Sequence, residues 1–388
     1  MTEPRHNLAL VFLLWLAGLG AAAQYGKVSV IFDQLPQIYP EAGPVLGWAV
    51  SLVGFVGILL GVTAGVLAAR IGFRRALLWA LVLGGGLSLI QSSFPPLPVF
   101  LGLRLIEGVS HLAIVVAAPT LIAQLTPFHL QNVMLTLWGT FFGVAFTILA
   151  WVGLPMVDRF GLAPLFVTHG IYLLVFAVIL WPLVPRDPKA EPAQMSGILY
   201  QHLTIYRSAF IAAPAIGWLF YTFCFVSLLT LLPPFVDPSL RVLVVGAMPL
   251  VTIASSLILG VWLLRFTSPI GIVQIGFASG VVFALALIVY PGNALLCLAI
   301  AGSLGLVQGA SFAAVPELNQ DNADRALANG AMAQTGNIGN TIGTPVVAAL
   351  IAVGGNTAMM VSTAAALGAG WSAHALLRLR RARSVTPR

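Results

Sequence analysis

Lys27, Arg104 and Glu107 stand inside long apolar runs of this 388-residue chain, where ionised groups are rare and chemically informative. An ionised side chain at the centre of a membrane-embedded helix costs roughly 2.5–3.5 kcal/mol on insertion scales, so a partner or a passing solute must justify it. Arg104, Glu107 and His111 follow i, i+3, i+7 spacing and share one helix face. Joined by Lys27, they make a centre of net positive charge, which suits an anion or a substrate bearing a carboxylate. Gln24 and Tyr25, beside Lys27, are read as part of the same path. Plainer readings stand next to this one. A snorkelling Lys27 would keep its charge wet at the headgroups. An Arg104–Glu107 pair would only tie two helices together, and His111 would be a hydrogen-bonded packing residue instead of a proton relay. His169 and Asp33 are weaker candidates, Asp33 at the wet outer mouth.

A second constellation lies late in the chain. Gln334, Asn337, Thr341 and Thr344 form one stripe, interleaved with Gly336, Gly339 and Gly343. Small residues four apart allow close helix packing. The competing account is a pocket completed by Gln308 and the aromatic set Trp218, Tyr221 and Phe225, with apolar walls and few polar anchors. Aromatic residues at that spacing also suit a core or lipid-facing stripe. The chain has no G-x-x-x-x-G-K-[ST], H-E-x-x-H, C-x-x-C or G-x-S-x-G. Neither an enzyme nor an ATP-driven motor is expected, and no cofactor or metal. Cys224 and Cys297 read as small packing residues.

The elements that position these residues follow from composition. With 59% hydrophobic and 7% charged residues the chain is far too apolar for a soluble domain. A span needs roughly 20 apolar residues, and the runs predict spans near 8–31, 44–69, 76–91, 97–125, 133–157 and 162–184, then 209–232, 242–264, 270–290, 294–315, 326–353 and 358–377. The expected fold is therefore all-α and membrane-embedded, with twelve transmembrane helices in two bundles, 1–184 and 208–388, joined by a cytoplasmic linker at 185–207. Cations mark the inner side. Arg5, Arg70, Arg74, Arg75, Arg186, Lys189, Arg207, Arg265, Arg325, Arg378, Arg380, Arg381, Arg383 and Arg388 fall on inner segments, against Arg159 and Arg241 outside, which puts both termini in the cytoplasm. The net charge of +7 is thus explained by topology, without nucleic acid. The first apolar run continues to Ile31 and is expected to stay as an uncleaved helix rather than leave as a signal peptide.

An internal repeat supports two halves. Gly65–Arg70 is echoed by Gly260–Arg265, an offset of 195 residues, and Arg104–Gly108 by Gly305–Gly309, an offset of 201. The run Gly65-Val-Leu-Ala-Ala69-Arg70-Ile-Gly72-Phe-Arg74-Arg75, with Arg104-Leu-Ile-Glu107-Gly108 and Pro119, resembles the signatures of the major facilitator superfamily along essentially the whole chain. The resemblance implies two six-helix bundles with pseudo-twofold symmetry and a cytoplasmic gate at Gly65, Arg70, Gly72, Arg74 and Arg75. Ala69 departs from the family's usual acid, which implies a differently built inner latch. Val115-Val-Ala-Ala-Pro119 and Leu137-Trp138-Gly139-Thr140 are similar to the cyanate and nitroimidazole transporter branch, implying a small anion or a compact nitrogen-containing cargo.

The function expected is secondary active transport of a small anion by a monomer in a bacterial inner membrane, with protons as coupling ion through Glu107. Export of cationic or amphiphilic drugs is the runner-up, ahead of a membrane-embedded enzyme or a receptor. The substrate/ion pathway is expected to comprise Lys27, Arg104, Glu107, His111, Gln24, Tyr25, Tyr221, Gln308, Gln334 and Asn337.

Overall fold

The computed structural model describes residues 7–61, 63–187 and 204–385. Arg5, Lys189, Arg388 and the greater part of the 185–207 linker lie outside the described residues. Those described are helical nearly throughout, with no strand among them. Lipid dictates this, because a helix satisfies its backbone N–H and C=O groups within itself.

Eleven helical stretches are long and apolar enough to cross a bilayer. The last, Leu327–Arg383, has 57 residues, which at 1.5 Å per residue is about 85 Å, more than twice a hydrocarbon core. It breaks at Gly354 (φ −137°, ψ 17°) and Gly355 (φ 56°, ψ −143°). This stretch is therefore two passes, and the described chain makes the twelve expected. The positive φ at Gly355 is a conformation that glycine adopts without a Cβ penalty.

The spans are not uniformly regular. The second, expected as one run, is assembled from Gly43–Leu46, Gly47–Ser51, Leu52–Gly54, Phe55–Leu60 and Ala64–Ile71, two of these being 3₁₀ turns. Glycines at 43, 47, 54, 57, 61 and 65 weaken its helix. At Gly47 they also allow close approach, since a Cβ there would lie 2.5 Å from the Cα of Pro345. The fifth span, running from Gln131 to Phe160, and the eighth, Pro238–Leu263, each contain a π-helical stretch, at Leu149–Gly153 and Ser255–Gly260.

Contacts divide the chain into two compact units, Met1–Ala42 with Leu52–Met195, and Gly43–Ser51 with Ser196–Arg388. In the first, Leu14 and Ala17 of span one (Leu8–Ser29), Leu77 and Leu81 of span three (Phe73–Gln91), Ile114 and Ala118 of span four (Leu97–Leu125), and Leu173 and Leu180 of span six (Ala163–Leu183) form a continuous core. In the second, span seven (Ala212–Leu231) lies tightly along the helix carrying Gly336, Gly339 and Gly343. A Cβ at Gly339 would stand 2.5 Å from the Leu219 carbonyl oxygen. Large apolar side chains such as Trp79, Val178 and Val353 face outward, as they must where lipid is the solvent.

Candidate functional site

Span four presents its charges inward and its oil-soluble residues outward. Arg104, Glu107, Ser110 and His111 are buried, while Leu105, Ile106 and Val109 are exposed. The i, i+3, i+7 spacing thus selects the bundle interior. Lys27, on span one, meets this face. Lys27, Arg104 and Glu107 are each 0% exposed, so the snorkelling alternative for Lys27 is ruled out by its position.

Glu107 joins the two cations. Lys27 Nζ donates to Glu107 Oε1 at 2.8 Å, and Arg104 Nη1 donates to Oε2. Gln91 Nε2, from span three, donates to the same Oε2 at 2.8 Å. Lys27 donates further to Ser88 Oγ at 2.9 Å and lies 3.3 Å from His169 Nδ1 on span six. The His169 tautomer follows from its partners. Its Nε2 is 2.9 Å from the carbonyl oxygen of Gly20, which can only accept, so Nε2 carries the proton and the Nδ1 lone pair faces Lys27. Spans one, three and four therefore meet at one carboxylate, span six reaches it only through Lys27, and the triad holds two positive charges against one negative.

Around the triad lie polar and aromatic groups that the sequence named only in part. Gln24 Nε2 donates to Ser110 Oγ at 2.9 Å, and Ser110 passes the bond to the Ala80 carbonyl. This link crosses span three at Gly84, where a Cβ would stand 2.6 Å from Gln24 Nε2. His111 Nδ1 is hydrogen-bonded with the Ala21 carbonyl at 3.0 Å, which fits the packing role weighed for it. Tyr25 packs edge-on against His111 and tilted against Phe142, and Phe142 stacks on Phe146. The Tyr25 hydroxyl and the Oε1 atoms of Gln24 and Gln91 are buried without a hydrogen-bond partner among the described residues. Such orphans cost free energy unless something else satisfies them.

The remaining sequence-named residues belong to the C-terminal unit. Tyr221 is buried and stacks between Trp218 and Phe225. Gln308 is half-buried. Gln334 accepts from the Tyr206 hydroxyl at 3.1 Å, and Asn337 bonds back to Ala333 of its own helix. The glycines interleaved with this stripe do perform the close packing weighed for them.

At the loop after the second span, Gly65 is open and Arg70 exposed. Gly72 has φ 97°, and Asp187, at the start of the linker, fills the space a side chain would occupy there. The Asp187 carboxylate accepts from the backbone N–H of Arg74 at 2.8 Å and of Arg75 at 3.2 Å, capping span three. Arg74 bonds the carbonyls of Val184 and Trp181. Sequence reading missed Asp187, as it missed Ser88, Gln91 and Ser110. The one signal for Asp187 was the absent acid at Ala69.

Twelve spans among the described residues, a buried charge cluster and a capped loop after the second span define a polytopic carrier-type fold. Residues 10–344 match the Major Facilitator Superfamily, and the chain belongs to it. A niacin transporter, NiaP, of Acinetobacter baylyi is 28% identical over 46% of this chain and 41% of its own length. A 4-hydroxybenzoate transporter, PcaK, of Pseudomonas putida is 26% identical over 47% of this chain and 40% of its own. A gallate transporter of Pseudomonas putida is 28% identical over 40% and 33%. The aligned part thus spans less than half the length of these relatives. A bacterial homologue of the human lysosomal transporter Spinster, solved inward-facing and occupied, superposes with TM-score 0.74 at 14% identity over 97% of this chain and 98% of its own. The family and these relatives are transporters, not enzymes.

Proposed function

We propose that the chain is a secondary carrier that moves a small aromatic carboxylate by alternating access, with protons as the coupling ion. One observation carries the reading. A fully buried cluster of Lys27, Arg104 and Glu107 has one positive charge in excess, beside the aromatic wall of Tyr25, Phe142 and Phe146. A buried charge in surplus favours an anionic ligand that neutralises it, and ring faces with a few polar anchors suit a flat apolar body. The cargoes named for the three relatives each place a carboxylate on an aromatic ring.

In this reading the cargo carboxylate brings the cluster to neutrality, and the unpartnered Tyr25 hydroxyl and Gln24 Oε1 take ring substituents. Glu107 is the coupling group: a proton there releases its hold on both cations and strengthens their pull on the cargo. The protein works as a monomer, with both termini on the cytoplasmic side of a bacterial inner membrane. Export of cations through Glu107 is the weaker reading, because both carboxylate oxygens already have donors.

Uptake of labelled nicotinate and 4-hydroxybenzoate into proteoliposomes tests this. Arg104→Ala is expected to abolish uptake, whereas Arg74→Ala only changes turnover. Equal, mild losses from both would contradict a binding role for Arg104. Glu107→Gln is expected to remove the response to a pH gradient, and an unchanged response would exclude Glu107 as the proton carrier.

A further inference from the structure

We infer that the groove between spans nine and twelve binds one acyl chain of an anionic phospholipid, whose phosphate is held by Arg378. The groove has a volume of about 320 Å3 and is lined by Ala278 and Val281 of span nine (Pro269–Val289) and by Gly368, Trp371 and Ser372 of the last helix. It opens outward from the C-terminal unit, since Ala278, Trp371 and Ser372 are exposed. Small residues create it. Nothing lies within 4 Å of where a Cβ on Gly368 would stand, and Ala278 fills little of the opposite wall.

The last helix continues unbroken past the groove toward Val385. Gly368, Trp371 and Arg378 are spaced i, i+3, i+10 and share one face. Arg378 is exposed, seven residues beyond Trp371, or about 10 Å along the axis. An indole belongs at the boundary of hydrocarbon and headgroup, and a guanidinium fork matches a phosphate. Arg380 and Arg383, also exposed, add to the field an anionic headgroup would meet. Among the described residues no hydrogen bond or ion pair engages the Arg378 guanidinium.

The seam between spans three and six of the N-terminal unit lacks these features. There Gly85 and Gly170 meet, and a Cβ on either would lie 2.9 Å from the other's carbonyl oxygen. Arg74 at that end is already bonded to Val184 and Trp181. That seam is closed by backbone contact where the groove between spans nine and twelve is open. A phospholipid uses both parts, while a free phosphate would use only the cation.

The test needs no knowledge of the cargo. The full chain is placed in phosphatidylcholine nanodiscs containing a minority of phosphatidylglycerol brominated on its acyl chains. The quenching of Trp371 is read as the difference between the wild type and Trp371→Phe. Quenching should be several-fold stronger with brominated phosphatidylglycerol than with brominated phosphatidylcholine at the same fraction. That preference should vanish in Arg378→Gln and persist in Arg378→Lys, and Gly368→Leu, which fills the groove, should lower quenching by both lipids. Equal quenching by the two lipids in the wild type, or a preference that survives Arg378→Gln, overturns the assignment.

Discussion

The interiors of the two units solve opposite problems. In the N-terminal unit, Lys27, Arg104 and Glu107 share a hydrogen-bonded network with Ser88, Gln91 and His169. The C-terminal interior is built from close backbone contacts at Gly339 and Gly343 and from hydroxyls of Thr222, Ser227, Thr230 and Thr335 that fold back on carbonyls of their own helices. Among the described residues its buried histidine, His374, has both ring nitrogens unpartnered. A repeated helical plan has therefore been filled with chemistry in one half and with shape in the other. Under the proposed function, the first half is where a solute would be told apart by charge.

The contrast can be broken by experiment. Glu107→Leu leaves the buried cations Lys27 and Arg104 without their counter-charge, and removing the partner of a buried charge costs about 3–5 kcal/mol. Thermal unfolding in detergent should show that loss. His374→Phe, which removes two unpartnered nitrogens, should be neutral or stabilising. A comparable loss from both would mean that the two interiors do not differ as described. Shape is tested next: Gly339→Leu drives a side chain into the Leu219 carbonyl and should cost about 1–3 kcal/mol. Gly86→Leu, with nothing within 4 Å, should leave the melting temperature unchanged. Gly84→Ala parts Gln24 from Ser110 and leaves the buried Gln24 amide donor without its acceptor, at a cost of about 1–3 kcal/mol. Its clearer sign should be a raised KM for the aromatic acid with little change in maximal rate. A smaller effect, about 1 kcal/mol, is expected from Asp187→Ala through loss of the span-three cap, read as a lower melting temperature that Asp187→Asn largely restores.

Much of the architecture was legible because lipid imposes a length and an internally bonded backbone, so apolar runs and glycine breaks such as Gly354-Gly355 translate directly into passes. Regularity was less legible. Hydropathy does not distinguish an α-helix from the 3₁₀ turns of span two or the π-helical stretches at Leu149–Gly153 and Ser255–Gly260. In the site, Lys27, Arg104 and Glu107 announced themselves because each is an ion in oil. Ser88, Gln91 and Ser110 did not, since small polar residues in membrane helices serve packing just as well. His169 gives little signal in the sequence because its partners come from spans one and three, a proximity that spacing along one helix does not encode. Asp187 stands 118 positions after Ala69, and only folding brings it to the loop after the second span.

The turn at Gly354 and Gly355 has a mechanical consequence. Two adjacent helices return on each other through a pair of residues, with Asn356 bonded to the Leu287 carbonyl at 2.9 Å. That hairpin has no slack, so neither helix can slide along its axis without dragging its neighbour. In the proposed alternating-access cycle the two helices are expected to shift along their axes together, with the glycine pair leaving their mutual angle free to change.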